Sequence, residues 1–412
     1  MSSADAALHS TGIGKSFHIR TSAPVVAYDI FPYGGGRSAV TSATLLLPTT
    51  AWDTNYIGVA PYATPPSSFG FNSQSWLQIV AAEDDTQVTI RPTADIVGGG
   101  GVQPAGQGQP TTYALQRGQV LQFTQDEELS GIPIQSNKPV GVFGGNRCMI
   151  IPTGGAGACD AGHQMIPPVK ALGSEYVAAR PRDRVTGLVE SPPWRLVGAI
   201  DGTALTYDPA LPPGAPAVLN SGQVVEFSAP GPFVVRSQDK DFPFYMSAHM
   251  TGCGAVDLRG DNCPGDPETV NVIPPEQFLE SYVFFTDPTY PETSLVVIRK
   301  RGADGFKDVE LDCTGPITGW QRIGGGGMYE YAWVYLVTGN FQPVGGCDNG
   351  RREAHSDAPF TITIWGWGTA ATGGDISNPS IPGFYSQACS YAYPAGASVK
   401  PLTQVEVPTT PE

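Results

Sequence analysis

The residues of this sequence best suited to chemistry are seven cysteines, a dense run of carboxylates, a Trp-Gly-Trp segment and five scattered histidines. The cysteines are Cys148, Cys159, Cys253, Cys263, Cys313, Cys347 and Cys389. Thiols of this kind either hold zinc or join as disulfides. No two of them have the Cys-x-x-Cys spacing of a zinc ribbon. The nearest histidines, His163 after Cys159 and His249 before Cys253, do not stand at equivalent places. Disulfides are therefore the expectation, and no metal or cofactor is expected.

The carboxylate run "DLRGDNCPGDPE" spans Asp257–Glu268. Asp257, Asp261, Asn262 and Asp266 offer hard oxygen ligands that suit calcium. Their spacing matches no calcium loop, so a solvated disulfide loop is the plainer reading. The Arg-Gly-Asp at Arg259–Asp261 reads as chance. "GDPE" at Gly265–Glu268 resembles the self-cleaving GDPH tetrapeptide of some mucin-type modules, but Glu268 replaces the histidine and cleavage is not expected. "EDD" at Glu83–Asp85 has an echo in Asp201, which favours turn chemistry over catalysis. Trp365 and Trp367 share one face of a strand, since residues i and i+2 point the same way. They could form a sugar-stacking platform, or a buried stripe, which is the preferred reading. His9, His18, His163, His249 and His355 have no fixed partners in the sequence. The glycine runs Gly34–Gly36 and Gly324–Gly327 lack the lysine of a phosphate cradle and read as hairpin loops. Nucleophile-elbow, zinc-protease, P-loop and dinucleotide motifs are missing from the sequence, so no enzyme is expected.

The elements that must position these residues repeat. "MIPPVKALGSEYV" at 165–177 returns as "VIPPEQFLESYV" at 272–283 and, blurred, as "LLPTTAWDTNYI" at 46–57. Tyr56, Tyr176 and Tyr282 thus recur at intervals of about a hundred residues, the size of a small domain. "WLQIVAAEDDTQVTI" from Trp76 matches "WRLVGAIDGTALTY" from Trp194, and "LQRGQVLQF" from Leu115 matches "LNSGQVVEF" from Leu219. "IQSNKPVGVF" from Ile134 matches "VRSQDKDFPFYM" from Val235, and "IRTSAPVVAYDI" from Ile19 is the same element again. The repeat places Cys148 and Cys159 in one loop and Cys253 and Cys263 in the same loop of the next copy. It therefore predicts the pairs Cys148–Cys159 and Cys253–Cys263 and leaves Cys313 for Cys347. Each short loop closed this way contributes roughly 3 kcal/mol in the chain-entropy model. Cys389 is odd, either buried as a thiol or paired outside the chain.

The repeated segments are short, rich in Val, Ile, Thr and aromatics, and bounded by turn residues. The expected fold is all-β: tandem, interlocked β-sandwich-like repeats stapled by local disulfides, with strands shared between neighbours. Two copies read as full and one at each end as partial. The expected units are an N-terminal partial repeat (1–60), a first full repeat (61–180), a second (181–290), a C-terminal repeat (291–402) and a linker or tail (403–412). "VGGGGVQPAGQGQP" at Val97–Pro110 and "PALPPGAP" at Pro209–Pro216 occupy the same place in two copies. They read as flexible, insertion-tolerant loops.

Hydrophobic residues make up 41% of the 412, enough for packed cores. Charged residues are 15%, and the net charge of −15 argues against nucleic acid and anionic lipid as partners. No apolar run is long enough to cross a membrane as a helix. The opening "MSSADAALHSTG" lacks the basic start and apolar core of a signal peptide, which suggests a mature chain with an added Met1. Low Lys with abundant Gly and Pro suggests an exported surface protein, secreted or on the cell surface.

Several motifs in one order carry a family resemblance. "SNKPVGVFGGNRCMIIP…CDAGHQMIPPVKALGSEYVAARP", "EDDTQVTI", "GQVLQF" and "SYAYPAGASVKPL" resemble the N-terminal domain of IgGFc-binding protein, from about Ser16 to Leu402. The composition resembles a bacterial member more than the mucosal animal one. The resemblance implies a secreted, disulfide-bonded, β-rich module of a larger surface protein. The animal relative is named for binding the Fc part of immunoglobulin G, and no motif fixes Fc-contacting residues here. The leading expectation is a non-enzymatic recognition or adhesion module for an extracellular protein or glycan. The alternative is a structural subunit of an extracellular filament or surface layer that self-associates through strand edges. A glycan hydrolase would need two carboxylates about 5–10 Å apart across a cleft.

Overall fold

The computed structural model describes residues 7–31, 33, 40–64, 73–152, 159–256, 263–369, 372 and 389–410. It is all-β, with four three-residue 3-10 turns beside the strands among the described residues. Burial explains the strands. Thr86–Ile90 alternates buried Thr86, Val88 and Ile90 with more accessible Gln87 and Thr89, the two-residue period of a half-buried strand. Pro193–Gly198 is buried throughout and Glu292–Lys300 over most of its length. The repeated Gln-Arg-Gly-Gln and Asn-Ser-Gly-Gln turns both need a left-handed residue, and Gly118 and Gly222 supply it at φ 78° and 74°.

Sixteen strands define the architecture. They are β1 (Gly12–Lys15), β2 (Ala27–Phe31), β3 (Ser42–Leu46), β4 (Asp53–Gly58), β5 (Ser75–Ala81), β6 (Ile132–Met149), β7 (Asp160–Ile166), β8 (Glu175–Ala178), β9 (Pro193–Gly198), β10 (Phe233–Arg236), β11 (Phe244–Met250), β12 (Glu268–Asn271), β13 (Leu279–Thr286), β14 (Glu292–Lys300), β15 (Gly350–Trp367) and β16 (Ser390–Pro394). In the first module β6 pairs with β4 along its first half and with β5 and β7 along its second. In the third, β15 pairs in the same way with β13, then with β14 and β16. The second module breaks its long strand at the "SQDKDFP" segment into β10, paired with β8, and β11, paired with β9 and β12. The long strand of the last copy therefore has the same three neighbours as that of the first.

Strands β3, β7, β12 and β16 lie side by side in cyclic order and form a four-strand hub. Each hydrogen-bonds outward to the strand before it, β2, β6, β11 or β15. The cores interlock accordingly. Val197 and Tyr245 of the second module join the core of the first, and Val296, Trp365 and Trp367 of the third join that of the second. Tyr28 and Ile30 of β2 lie against the core of the third. The segment read as a linker or tail also packs: Val407 is fully buried in the first core, and its backbone exchanges two 2.9 Å hydrogen bonds with the Asn55 amide. An apolar Val-x-Val pattern among Pro and Thr is strand-like enough to dock, which its composition concealed.

The thrice-repeated tyrosine sentence has one structural meaning. Tyr56, Tyr176 and Tyr282 are buried, and each follows a 3-10 turn. Their hydroxyls accept from the backbone N–H of Asp53, Gly173 and Leu279 at 3.0, 3.1 and 3.1 Å. They donate to the carbonyls of Val140, Phe244 and Phe360, each at 2.7 Å. One phenol thus ties each turn to the long strand, satisfying a donor and an acceptor that burial would otherwise strand.

Candidate interaction surface

Disulfides join Cys148 to Cys159, Cys253 to Cys263 and Cys313 to Cys347. Cys389 is buried beside the hub and takes part in none of the three. Burial, then the carboxyls of Asp160 and Asp266, push its thiol far up, which suppresses the thiolate that would react.

The carboxylate run divides. Asp257, Asp261, Asn262 and the Arg259–Asp261 tripeptide lie outside the described residues. Asp266 and Glu268 turn inward and are buried with Asp160 at one end of the hub. Asp160 accepts from the backbone N–H of Thr41, of Ala161 at 3.0 Å and of Ser390 at 2.9 Å, and from the Thr41 hydroxyl at 3.1 Å. The Asp266 N–H donates to the Ser390 hydroxyl at 2.9 Å. Glu268 Oε1 accepts from the Ser42 hydroxyl at 3.2 Å and the Thr269 N–H at 2.7 Å. Asp266 Oδ1 and Glu268 Oε2 have no hydrogen-bond partner. Burial, then the neighbouring Asp266, pushes Asp160 well above the ordinary carboxylate range, and burial, then Asp160, does the same to Glu268. Burial pushes Asp266 up to about 7 against the pull of Arg184. Burial in the hub thus favours the protonated form of these carboxyls. Among the described residues, one group close enough for a metal is Cys253, Cys263 and Asp266. Its two sulfurs are bonded to each other, which leaves one carboxyl and no thiolate.

The remaining sequence candidates are structural. Trp365 and Trp367 are each 1% exposed, so no sugar can stack on them. Their face packs into the second module's core, an interlock that strand periodicity alone does not reveal. His249 is buried with Nε2 at 2.9 Å from the Ser247 hydroxyl, and His163 sits between Trp76 and Phe143 and 3.8 Å from Asp29. His355 meets Glu310 at 3.4 Å on the surface, and His9 and His18 are exposed. Gly34–Gly36 lie outside the described residues. Gly324–Gly327 do turn a hairpin, and they also bind an anion of this chain: Gly325 and Gly326 N–H donate to the Asp208 carboxylate at 2.6 and 3.0 Å and hold it below the usual carboxylate range. The Val97–Pro110 tract is not a loose loop. It closes on itself through Gly99–Val102 and Ile96–Ala105 bridges, and Gly100 accepts from Ile13 of the β1 strand.

Sequence reading missed the arginines that brace the second module and tie it to its neighbours. "ARPRDRV" places Arg182 against Glu292 and over the Trp367 ring at 4.4 Å. Arg184, with a fully buried side chain, meets Glu190 at 2.8 Å and donates to the Thr251 and Pro264 carbonyls. Arg195 crosses from the second module to Glu128 and the Tyr62 ring of the first. Three arginines at alternate positions in "ARPRDRV" were the available signal.

The surface left over is concentrated at the N-terminal hairpin. Of the fourteen exposed large hydrophobic residues among those described, six fall between Phe17 and Tyr33, with Phe17 80% and Ile19 73% exposed. Strands β6, β11 and β15 each have a second neighbour opposite the hub, namely β5, β9 and β14. Among the described residues β2 pairs with β3 alone, and its outer edge is open.

Comparison with known proteins agrees with the sequence motifs. The family model described as "IgGFc binding protein" matches residues 42–366. A search of the curated proteins finds no match. Two solved anti-sigma factor domain-containing proteins, one from Clostridium clariflavum, align at 9% and 10% identity. The alignments cover 75% and 82% of this chain and 78% and 82% of those chains, each at a TM-score of 0.13. A structure of the lipid-containing bacteriophage PM2 aligns at 10% identity over 81% of this chain and 91% of that one, at a TM-score of 0.10. Scores this low carry no argument about fold or function. The family match spans most of the chain, including three of the four hub strands, and the chain belongs to the IgGFc-binding protein family.

Proposed function

We propose that this chain is a non-enzymatic recognition module, working outside the cell, that binds a protein or glycan ligand. Membership of the IgGFc-binding family over residues 42–366 is the observation that carries this reading. Three further features support it. The disulfides suit an oxidising compartment. The modules interlock through shared cores and through the Arg182–Glu292 and Arg195–Glu128 ion pairs, which makes a stiff platform for surface contacts. The polar residues gathered inside, Asp160, Asp266, Glu268 and His249, are enclosed and engaged in holding strands rather than lining a cleft. Binding of the oxidised chain to immobilised immunoglobulin Fc, mucins and a surface-glycan array tests the reading. Saturable binding to one ligand class, lost on unfolding, is expected. Light scattering of the same sample is expected to give a monomer at all concentrations, and growth into regular oligomers without ligand would instead indicate a filament or surface-layer subunit.

A further inference from the structure

The three modules show what belongs beside the open edge of β2. Opposite each hub strand, the outward strand has a second antiparallel neighbour: Leu77 of β5 beside Gly144, Trp194 of β9 beside Ala248, Leu295 of β14 beside Ile364. Those neighbours are six to nine residues long and buried on both faces over most of their length. The β2–β3 pair is continuous with the same hub and has the same antiparallel register, with Tyr28 opposite Leu45 and Ile30 opposite Ala43, but no neighbour on the far side among the described residues. An open edge carrying apolar side chains is a template for another strand.

We propose that the outer edge of β2 accepts an extended apolar strand of a partner protein, antiparallel to β2, in the place that β5, β9 and β14 fill in the modules. The inference rests on the recognition reading and names its mode. Its partner is a segment of about six apolar residues, the length of an ordinary strand, with neutral or basic flanks. The basic preference follows from the net charge of −15 and from Asp29, exposed at the middle of β2. A second copy of this chain fits less well. Two β2 edges paired about Asp29 would set carboxylates opposite each other across the strands, a destabilising cross-strand pair, and would bring two strongly acidic molecules together.

The test uses the intact, oxidised chain and two peptides, one copying residues 191–200 (SPPWRLVGAI) and one copying residues 292–300 (ETSLVVIRK). Hydrogen exchange of Ala27–Phe31 is followed by mass spectrometry, with peptide binding followed by fluorescence anisotropy. At saturating peptide the β2 amides are expected to slow by roughly tenfold or more. Peptides N-methylated at alternate backbone positions keep their side chains but lose edge donors, and should give no slowing. Unchanged β2 exchange with both peptides overturns the proposal, as does equal protection by the N-methylated forms. Protection that rises with protein concentration alone would overturn it in favour of a second copy. Failure here leaves the recognition reading untouched if the Fc, mucin or glycan screen finds a ligand, because loops at the module ends would then carry the contact.

Discussion

Replacing Tyr176 with Phe removes one oxygen atom and two hydrogen bonds while leaving the ring in place. The ring itself packs against Phe244 at a centroid distance of 4.8 Å and should stay there. What changes is that the Gly173 N–H and the Phe244 carbonyl lose the phenol that bridges them at 3.1 and 2.7 Å. Tyr176 is 1% exposed, so water does not replace the oxygen freely. Each buried polar group left without its partner costs about 1–3 kcal/mol. The loss for Tyr176→Phe should therefore be on the order of 3 kcal/mol, and Tyr56→Phe and Tyr282→Phe should match it, because the three networks share their geometry. Equilibrium unfolding in urea measures this as a fall in midpoint at unchanged slope. Tyr33→Phe, on an exposed ring, is the control and should stay within about 0.5 kcal/mol of the parent. If Tyr176→Phe also stays within about 0.5 kcal/mol, the bridging role assigned to the repeated tyrosine is wrong.

The hub acids give a pH dependence whose sign is fixed by their raised folded-state affinity for protons. A carboxyl raised on folding contributes stability that is complete below its unfolded value and is lost as the pH climbs to its folded one, for Asp266 between about 4 and about 7. His163 and His249, whose pKa values are lowered by burial, pull the opposite way below their solution range, so the comparison must be with Asp266→Asn. The melting temperature of that variant should gain on the parent as pH rises from 4 to 8, by the equivalent of several kcal/mol at about 1.4 kcal/mol per pKa unit, and parallel curves would refute the acid assignment. Glu190→Ala leaves Arg184 buried without its carboxylate and should cost about 3–5 kcal/mol in urea unfolding. Trp365→Ala opens a cavity where the second and third modules meet and should cost about 3–5 kcal/mol by the same measurement. Removing the Cys253–Cys263 disulfide as a double Ser variant should cost about 2–4 kcal/mol, and mass mapping of the parent should recover all three local pairs.

The repeat was legible because the physics that fixes it is local. Pro before a 3-10 turn, a tyrosine five residues past its end and β-branched runs each leave a mark in the sequence. The all-β class followed from the same marks. The hub was not legible, because β3, β7, β12 and β16 meet through side chains across more than a hundred residues of chain, and no spacing in the sequence encodes their cyclic order. The inward turn of Asp266 and Glu268 was hidden for the same reason: an acidic run reads as solvated unless its burial partners, here Ser42 and Ser390, are known. Docking of Val407 and the clamped glycine tract were lost behind Pro, Thr and Gly content, which signals loops but does not say what they touch. The open edge of β2 was half visible, since "IRTSAPVVAYDI" reads as a copy of the long strand without the "WLQIV" element that precedes it elsewhere.

Hydrogen exchange of the free, oxidised chain tests the central claim most directly, because four outward strands, one of them uncovered among the described residues, make a residue-level forecast. The amides of Ala27–Phe31 should exchange orders of magnitude faster than those of Val142–Gly145, Ser247–Ala248 and Ile364–Trp367, which occupy the same place in the three modules and are paired on both sides. Protection of Ala27–Phe31 equal to that of the three covered strands would mean the edge is already filled, and would contradict an interaction surface at β2.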